Sequence, residues 1–258
     1  MKVIGLQFDI AWENKPANFE RVRGLLLRAA PEKNSLVVFP EMFATGFSMN
    51  AMAIAEPGGG ETEQFLAQLA RECAVTIIAG VAVRGRDGQA RNKALVCSPA
   101  GELICFYAKQ RPFTPGAEDQ HYAAGGKCAL FQWQDCTVSP FICYDLRFPE
   151  LFRAAAAQHR PELFAVIANF PTKRISHWIQ LLRARAIENQ AYVLGVNRIG
   201  DDPFYDYGGR SVLVDPLGEI IADAGTDEGF VCGTLDLGNL TKYRAGLPFL
   251  ADLKWPLK

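Results

Sequence analysis

Histidine is scarce in this chain of 258 residues: there are three, none spaced from a cysteine or carboxylate as a metal site requires. No Cys-x-x-Cys pair occurs among the seven cysteines at 73, 97, 105, 128, 136, 143 and 232, and their odd count argues against a disulfide framework. No apolar run approaches the roughly 18 residues that a membrane helix needs. Residues 1–5 run straight into a strand pattern, so no signal peptide is expected. Excess charge of one sign is also missing. The formal net charge is -1, and the densest basic spots, Lys173-Arg174 and Arg183 with Arg185, are too small for a binding stripe. These absences exclude nucleic acid and membrane as partners. They leave a soluble protein with free thiols in a reducing compartment, expected to be cytoplasmic. What the chain has in quantity is apolar residues, 49%, ample for a full core.

The pattern alternates early. Strands are expected over 3–8, 35–39, 76–83, 94–97, 102–107, 137–142, 163–168, 192–196, 212–214, 220–222 and 230–234. Helices are expected over 18–30, 61–74, 150–158 and 174–190, the last being the longest. Pro140 inside the run 137–142 argues for a bulge or break there. Residues 111–126 have no periodicity, and a loop of that length is usually functional. Residues 96–104 echo residues 213–221: each puts Pro and Gly two apart between apolar runs, a hairpin signature repeated in two halves. No linker shows. One domain over 1–258 is expected, with 237–258 a C-terminal tail lying on something else. The class is α/β with mixed sheets.

Three chemical groups stand at three strand ends. Cys143 ends the run 138–142, before a polar turn and Pro149 at a first helical position. Glu41 follows the strand 36–39, and Lys109 follows 103–107. If those strands run side by side in one direction, the three meet at one rim. A free thiol has a pKa of about 8.5, and a neighbouring ammonium favours the thiolate. A carboxylate takes the thiol proton, returns it to a leaving amine and then activates water. The ammonium and the Tyr144 backbone N–H face the oxyanion.

The segments that carry these residues, Phe39-Pro40-Glu41-Met42, Tyr107-Ala108-Lys109 and Cys143-Tyr144-Asp145-Leu146-Arg147-Phe148-Pro149-Glu150, resemble the three signatures of the nitrilase superfamily, the carbon–nitrogen hydrolases. The resemblance extends through residues 177–190 and Asn197-Arg198-Ile199-Gly200. Within that superfamily the chain is most similar to the omega-amidases, which hydrolyse the terminal amide of short keto-dicarboxylate monoamides. The resemblance implies a four-layer α-β-β-α sandwich of two similar halves and a Glu-Lys-Cys triad. It implies a thioester intermediate and no metal or organic cofactor. It further implies a homodimer or higher homo-oligomer paired through helices near the nucleophile. A second glutamate near the lysine is also implied; Glu118 matches, and would steady the ammonium and keep Glu41 partly protonated.

Around the triad, Phe43, Thr45, Phe47 and Phe113 flank the acid and the base, and Asn169 ends a strand that walls the site. A substrate carboxylate needs a cation, for which Arg147, Lys173 and Arg174 are candidates. His177 opens a helix and is the alternative partner for Cys143, as in a papain-like thiol protease. Trp178 and the other six cysteines read as packing. The competing functions are hydrolysis of N-carbamoyl compounds or nitriles by the same triad, and a non-catalytic interaction module.

Overall fold

The computed structural model describes residues 1–255. Its first half runs β1 (Lys2–Gln7), α1 (Lys15–Ala29), β2 (Leu36–Val38), α2 (Ala51–Ile54), β3 (Glu56–Pro57), α3 (Glu61–Cys73), β4 (Thr76–Arg84), β5 (Ala90–Cys97), β6 (Leu103–Ala108) and α4 (Glu118–His121). The second half runs β7 (Phe131–Trp133), β8 (Cys136–Ile142), α5 (Pro149–His159), β9 (Leu163–Ala168), α6 (Ile175–Asn189), β10 (Tyr192–Asn197), β11 (Ile199–Asp201), β12 (Asp206–Gly208), β13 (Val212–Val214) and β14 (Ile220–Asp223), then β15 (Gly229–Thr234) and α7 (Leu237–Gly246).

One sheet has the order β15-β1-β2-β4-β5-β6, with β3 beside β4; the other has the order β14-β13-β10-β9-β8-β7. Each has three parallel strands at its centre, an antiparallel hairpin on one side and an antiparallel strand on the other. Alternation along the strands sets the layers. Val37, Ile77 and Ala79 face α1 and α3, packing with Val22, Leu25, Leu66 and Leu69. Their neighbours Leu36, Val38 and Ile78 face the second sheet and share a core with Val138, Leu194 and Val196. Trp178 and Leu182 of α6 cover the other face of β10 at Gly195. The result is helices, sheet, sheet, helices.

The two echoed hairpins are built alike. Gly101 N–H donates to Ser98 O and Ser98 N–H to Glu102 O; Gly218 N–H donates to Asp215 O and Asp215 N–H to Glu219 O. Both glycines take positive φ, 76° and 86°, after a proline that sets the turn. Both hairpins also carry a register shift at the matching residue pair, Val96/Cys97 and Leu213/Val214.

Pro140 breaks nothing. It stays in parallel register opposite Ala165, with no shift along β8. Strand β7 pairs with β8 only as far as Val138, so beyond that point β8 has β9 on one side alone, and a residue without an N–H fits the open side. Helix α6 shares the greatest length with α1, at 15 residues each. The loop 111–126 holds a 3-10 turn, Thr114–Gly116, and α4. The expected tail is part of the packing: Leu240 and Leu250 join the main core, and Arg244 donates to the Arg160, Pro161 and Gln190 carbonyls. Its last residues, 256–258, lie outside the described residues.

Candidate active site

The three strand ends converge, by a route other than the expected one. Strands β2 and β6 run in the same direction in one sheet with β4 and β5 between them, and β8 lies in the facing sheet. The groups meet across the sandwich, not along one rim.

Glu41 sits just past β2, where the backbone keeps close to β4: Gly80 N–H donates to Pro40 O, and Phe43 N–H to Gly80 O. A Cβ on Gly80 would stand 2.5 Å from both Glu41 Cα and Met42 N, so the turn that presents Glu41 needs glycine there. Lys109 follows β6 and is 2% exposed. Its ammonium donates to Glu41 Oε1 at 2.9 Å and Glu118 Oε2 at 2.7 Å. It also stands 5.1 Å from the Phe47 ring centroid. Burial alone would lower its pKa, but the carboxylates of Glu118 and Glu41, with Cys143, outweigh that and raise it above the ordinary lysine range.

Cys143 opens a short 3-10 helix, Cys143–Arg147, at the end of β8. Its φ of 47° is left-handed, a strained position for a residue with a Cβ and one that recurs at functional sites. Cys143 keeps part of its surface open. Burial and then the Glu41 charge push its thiol well above the usual range, and Lys109 pulls the other way without prevailing. The raised thiol is the reverse of what a neighbouring ammonium suggested, and its Sγ donates to the Asn169 carbonyl oxygen at 3.8 Å. The Tyr144 N–H lies in the first turn of the 3-10 helix, where amides lack intrahelical acceptors.

Glu118 takes the expected place. Fully buried on α4, it accepts from Lys109, from Asn92 Nδ2 at 2.9 Å and from Phe113 N–H at 2.6 Å, tying the loop to the ammonium. Glu41 accepts from four N–H donors: Lys109 and Asn92 Nδ2 on Oε1, and the Asn169 N–H and Nδ2 on Oε2.

A small recess opens over Cys143, walled by Phe47, Phe113, Tyr144, Phe170, Tyr205 and Tyr207, with Arg147, Asn169, Pro171 and Arg174 completing it. Arg174 lies 5.6 Å from the Phe113 centroid and Arg147 5.5 Å from that of Phe170; neither is in a salt bridge among the described residues. Four expectations about this lining fail. Phe43 points into the core under α1 and α3, edge-on to Phe39. Thr45 is buried and donates to Gly46 O. Lys173, exposed on the turn before α6, is not part of the wall. His177 is also exposed, and its partner is Arg147, 3.3 Å from Nδ1, so it makes no dyad with Cys143. Asn169 is at the wall, but its side chain is committed to the backbone carbonyl and carboxylate of Glu41.

Two participants escaped sequence reasoning. Asn92 lies on β5, whose expected start at 94 was displaced by the polar run Arg91-Asn92-Lys93. Asp145, fully buried, accepts from Tyr107 Oη, Ile142 N–H and Arg111 N–H, joining the strand before Lys109 to the turn of Cys143. Burial pushes its carboxyl up to about 7 against those donors and Lys109. No cluster of three or more His, Cys, Asp or Glu suited to a metal occurs among the described residues.

Comparison with known proteins follows this geometry. A family model described as carbon-nitrogen hydrolase matches residues 3–245. An omega-amidase from Yersinia enterocolitica is 38% identical, over 98% of this chain and 96% of its own. A 2-oxoglutaramate amidase from Bacillus subtilis is 32% identical, over 96% of each chain. The crystal structure of a CN-hydrolase superfamily protein from Xanthomonas campestris, with an arsenic adduct in its active site, superposes with a TM-score of 0.93 at 32% identity, covering 100% of this chain and 98% of the other.

Proposed function

The chain belongs to the carbon–nitrogen hydrolase family, and from that premise we propose that it is an omega-amidase-type hydrolase, releasing ammonia from the terminal amide of short keto-dicarboxylate monoamides such as 2-oxoglutaramate. One observation carries the substrate class. The small aromatic recess over Cys143 holds two arginines, Arg147 and Arg174, free of carboxylate partners among the described residues. Such a wall suits a short acyl group ending in a carboxylate.

The reaction follows from the placement of charge. Sγ of Cys143 attacks the amide carbon as its proton passes to Glu41. The oxyanion forms against the Lys109 ammonium and the Tyr144 N–H, each such donor being worth about 3 kcal/mol. Glu41 gives its proton to the amine, the C–N bond breaks, and ammonia leaves a thioester on Cys143. Water then adds to the thioester carbon as Glu41 removes its proton. The C–S bond breaks, the acid departs, and the proton returns to sulfur. Lys109 stays charged throughout, held by Glu118.

Ammonia release from a panel of omega-amides, ureido acids and nitriles tests this reading. 2-Oxoglutaramate and 2-oxosuccinamate should lead, and Cys143→Ala should abolish release. A ureido acid or nitrile in first place would overturn the substrate, and activity surviving in Cys143→Ala would overturn the mechanism.

Two further properties belong to the same reading. The apolar side chains of Ile187, Leu217, Leu247 and Phe249 stand about half exposed or more. Gly218 packs on Ile187, and Gln190 Nε2 bonds Leu247 O, so much of this surface gathers at the end of α6 and fits pairing of two copies. All seven cysteines are free, which fits the cytoplasm. No helix among the described residues is long and apolar enough to cross a membrane.

A further inference from the structure

Glu41 is gripped by two asparagines that the triad does not explain. Asn92, 1% exposed on β5, divides its amino group between two carboxylates, donating to Glu41 Oε1 at 2.7 Å and Glu118 Oε1 at 2.9 Å. Its backbone carbonyl also accepts the Lys109 N–H at 2.9 Å. Asn169, at the end of β9 in the facing sheet, gives its backbone N–H to Glu41 Oε2 at 2.9 Å. Its Nδ2 reaches Glu41 O at 2.8 Å and Oε2 at 3.3 Å. Every neighbour of these amino groups is an oxygen acceptor, so both amide orientations are fixed.

The other ends of the two amides decide the matter. Oδ1 of Asn92 and Oδ1 of Asn169 are buried and have no hydrogen-bond partner among the described residues. A buried acceptor left unmatched destabilises a fold. Two of them flank the same carboxylate, and in both the amino half is fully used. Stability alone does not account for asparagine at either position.

We propose that Asn92 and Asn169 are positioning residues that form an amide clamp, one from each sheet, holding the Glu41 carboxylate ionised and aimed at the Cys143 thiol. Two carboxylates and one ammonium share this buried space, leaving one negative charge that Lys109 does not cancel. The clamp supplies the missing donors without adding a second positive charge, which would weaken Glu41 as the base that takes the thiol proton. Glu41 thus accepts from Cys143 instead of taking a proton from solvent first. In a variant without the clamp, Glu41 is protonated from solvent at a higher pH, and attack is lost on the acid side alone.

The proposal rests on the reading of Glu41 as the group that takes the thiol proton, so its test avoids the amide substrate. Alkylation of Cys143 by iodoacetamide is followed from about pH 3.5 to 9 by peptide-resolved mass spectrometry, in the wild type, Glu41→Gln and Asn92→Leu. In the wild type the rate should fall on an acid limb. In Asn92→Leu that limb should move up by about one pH unit, while the plateau rate stays within about threefold. A uniform loss at every pH, or an unmoved limb, overturns the clamp. A Glu41→Gln protein that keeps the wild-type limb overturns the role of Glu41 and the clamp with it. If Asn92→Leu does not fold, Asn169→Ala, which retains the backbone donor, reads the same limb.

Discussion

Lys109 is the residue on which the buried charges depend. It is the one ammonium between two carboxylates, and all three side chains are at most 2% exposed. Removing one partner from such a group is far costlier than never having built it, because the remaining charges lose their match. Lys109→Met should destabilise the protein by about 3–5 kcal/mol in urea denaturation, and it should reduce ammonia release by at least about 10²-fold. Asp145 carries a pH signature. Its carboxyl is raised by burial to about 7, so the folded state binds that proton more tightly than the unfolded chain does. The resulting stability is fully present below the unfolded carboxylate range and is lost as pH rises through about 7. The stability difference between wild type and Asp145→Asn, read by denaturation at pH 6 and pH 8, should therefore be more favourable to the wild type at pH 6. At this scale the triad was legible, since Glu41, Lys109 and Cys143 each follow an apolar run. Asn92 and Asp145 were not, because a single polar residue does not reveal whether its partner is water or a buried carboxylate.

At the scale of elements, the proposed catalytic groups hang on places where one segment meets another. The turn after β2 lies against β4 at Gly80, with backbone atoms filling the space a side chain would take. Gly80→Ala should cost about 1–3 kcal/mol by overpacking, and by displacing Glu41 it should lower ammonia release by about 10²-fold. If activity falls no further than the lost folded fraction explains, Gly80 serves stability alone. The elements themselves were largely legible. The hairpin echo was readable because Pro and Gly act locally, through fixed φ and freedom at positive φ. Pro140 was misjudged because its effect depends on whether a strand lies on both sides, a fact of sheet order. Loop 111–126 showed no periodicity because α4 is four residues long, too short to display one.

For the whole molecule, the exposed apolar surface at the end of α6 calls for a partner, and a second copy is the reading proposed above. Sedimentation velocity should give a dimer or a larger even assembly, and Ile187→Glu with Phe249→Glu should shift it toward the monomer. A monomeric wild type at micromolar concentration would remove that reading. The sequence by itself determined which segments become strands and helices, that the chain repeats a hairpin, and which acid, base and thiol stand ready at strand ends. Those features follow from periodicity, turn chemistry and residue type, which act over a few neighbours. Only the tertiary structure decided that the three groups meet across two sheets, that Arg147 and Arg174 line the recess while Lys173 and His177 do not, and that two asparagines grip Glu41. Those outcomes depend on strand order and on which buried group lies nearest, and residues as far apart as 41 and 169 come together only when the sandwich closes.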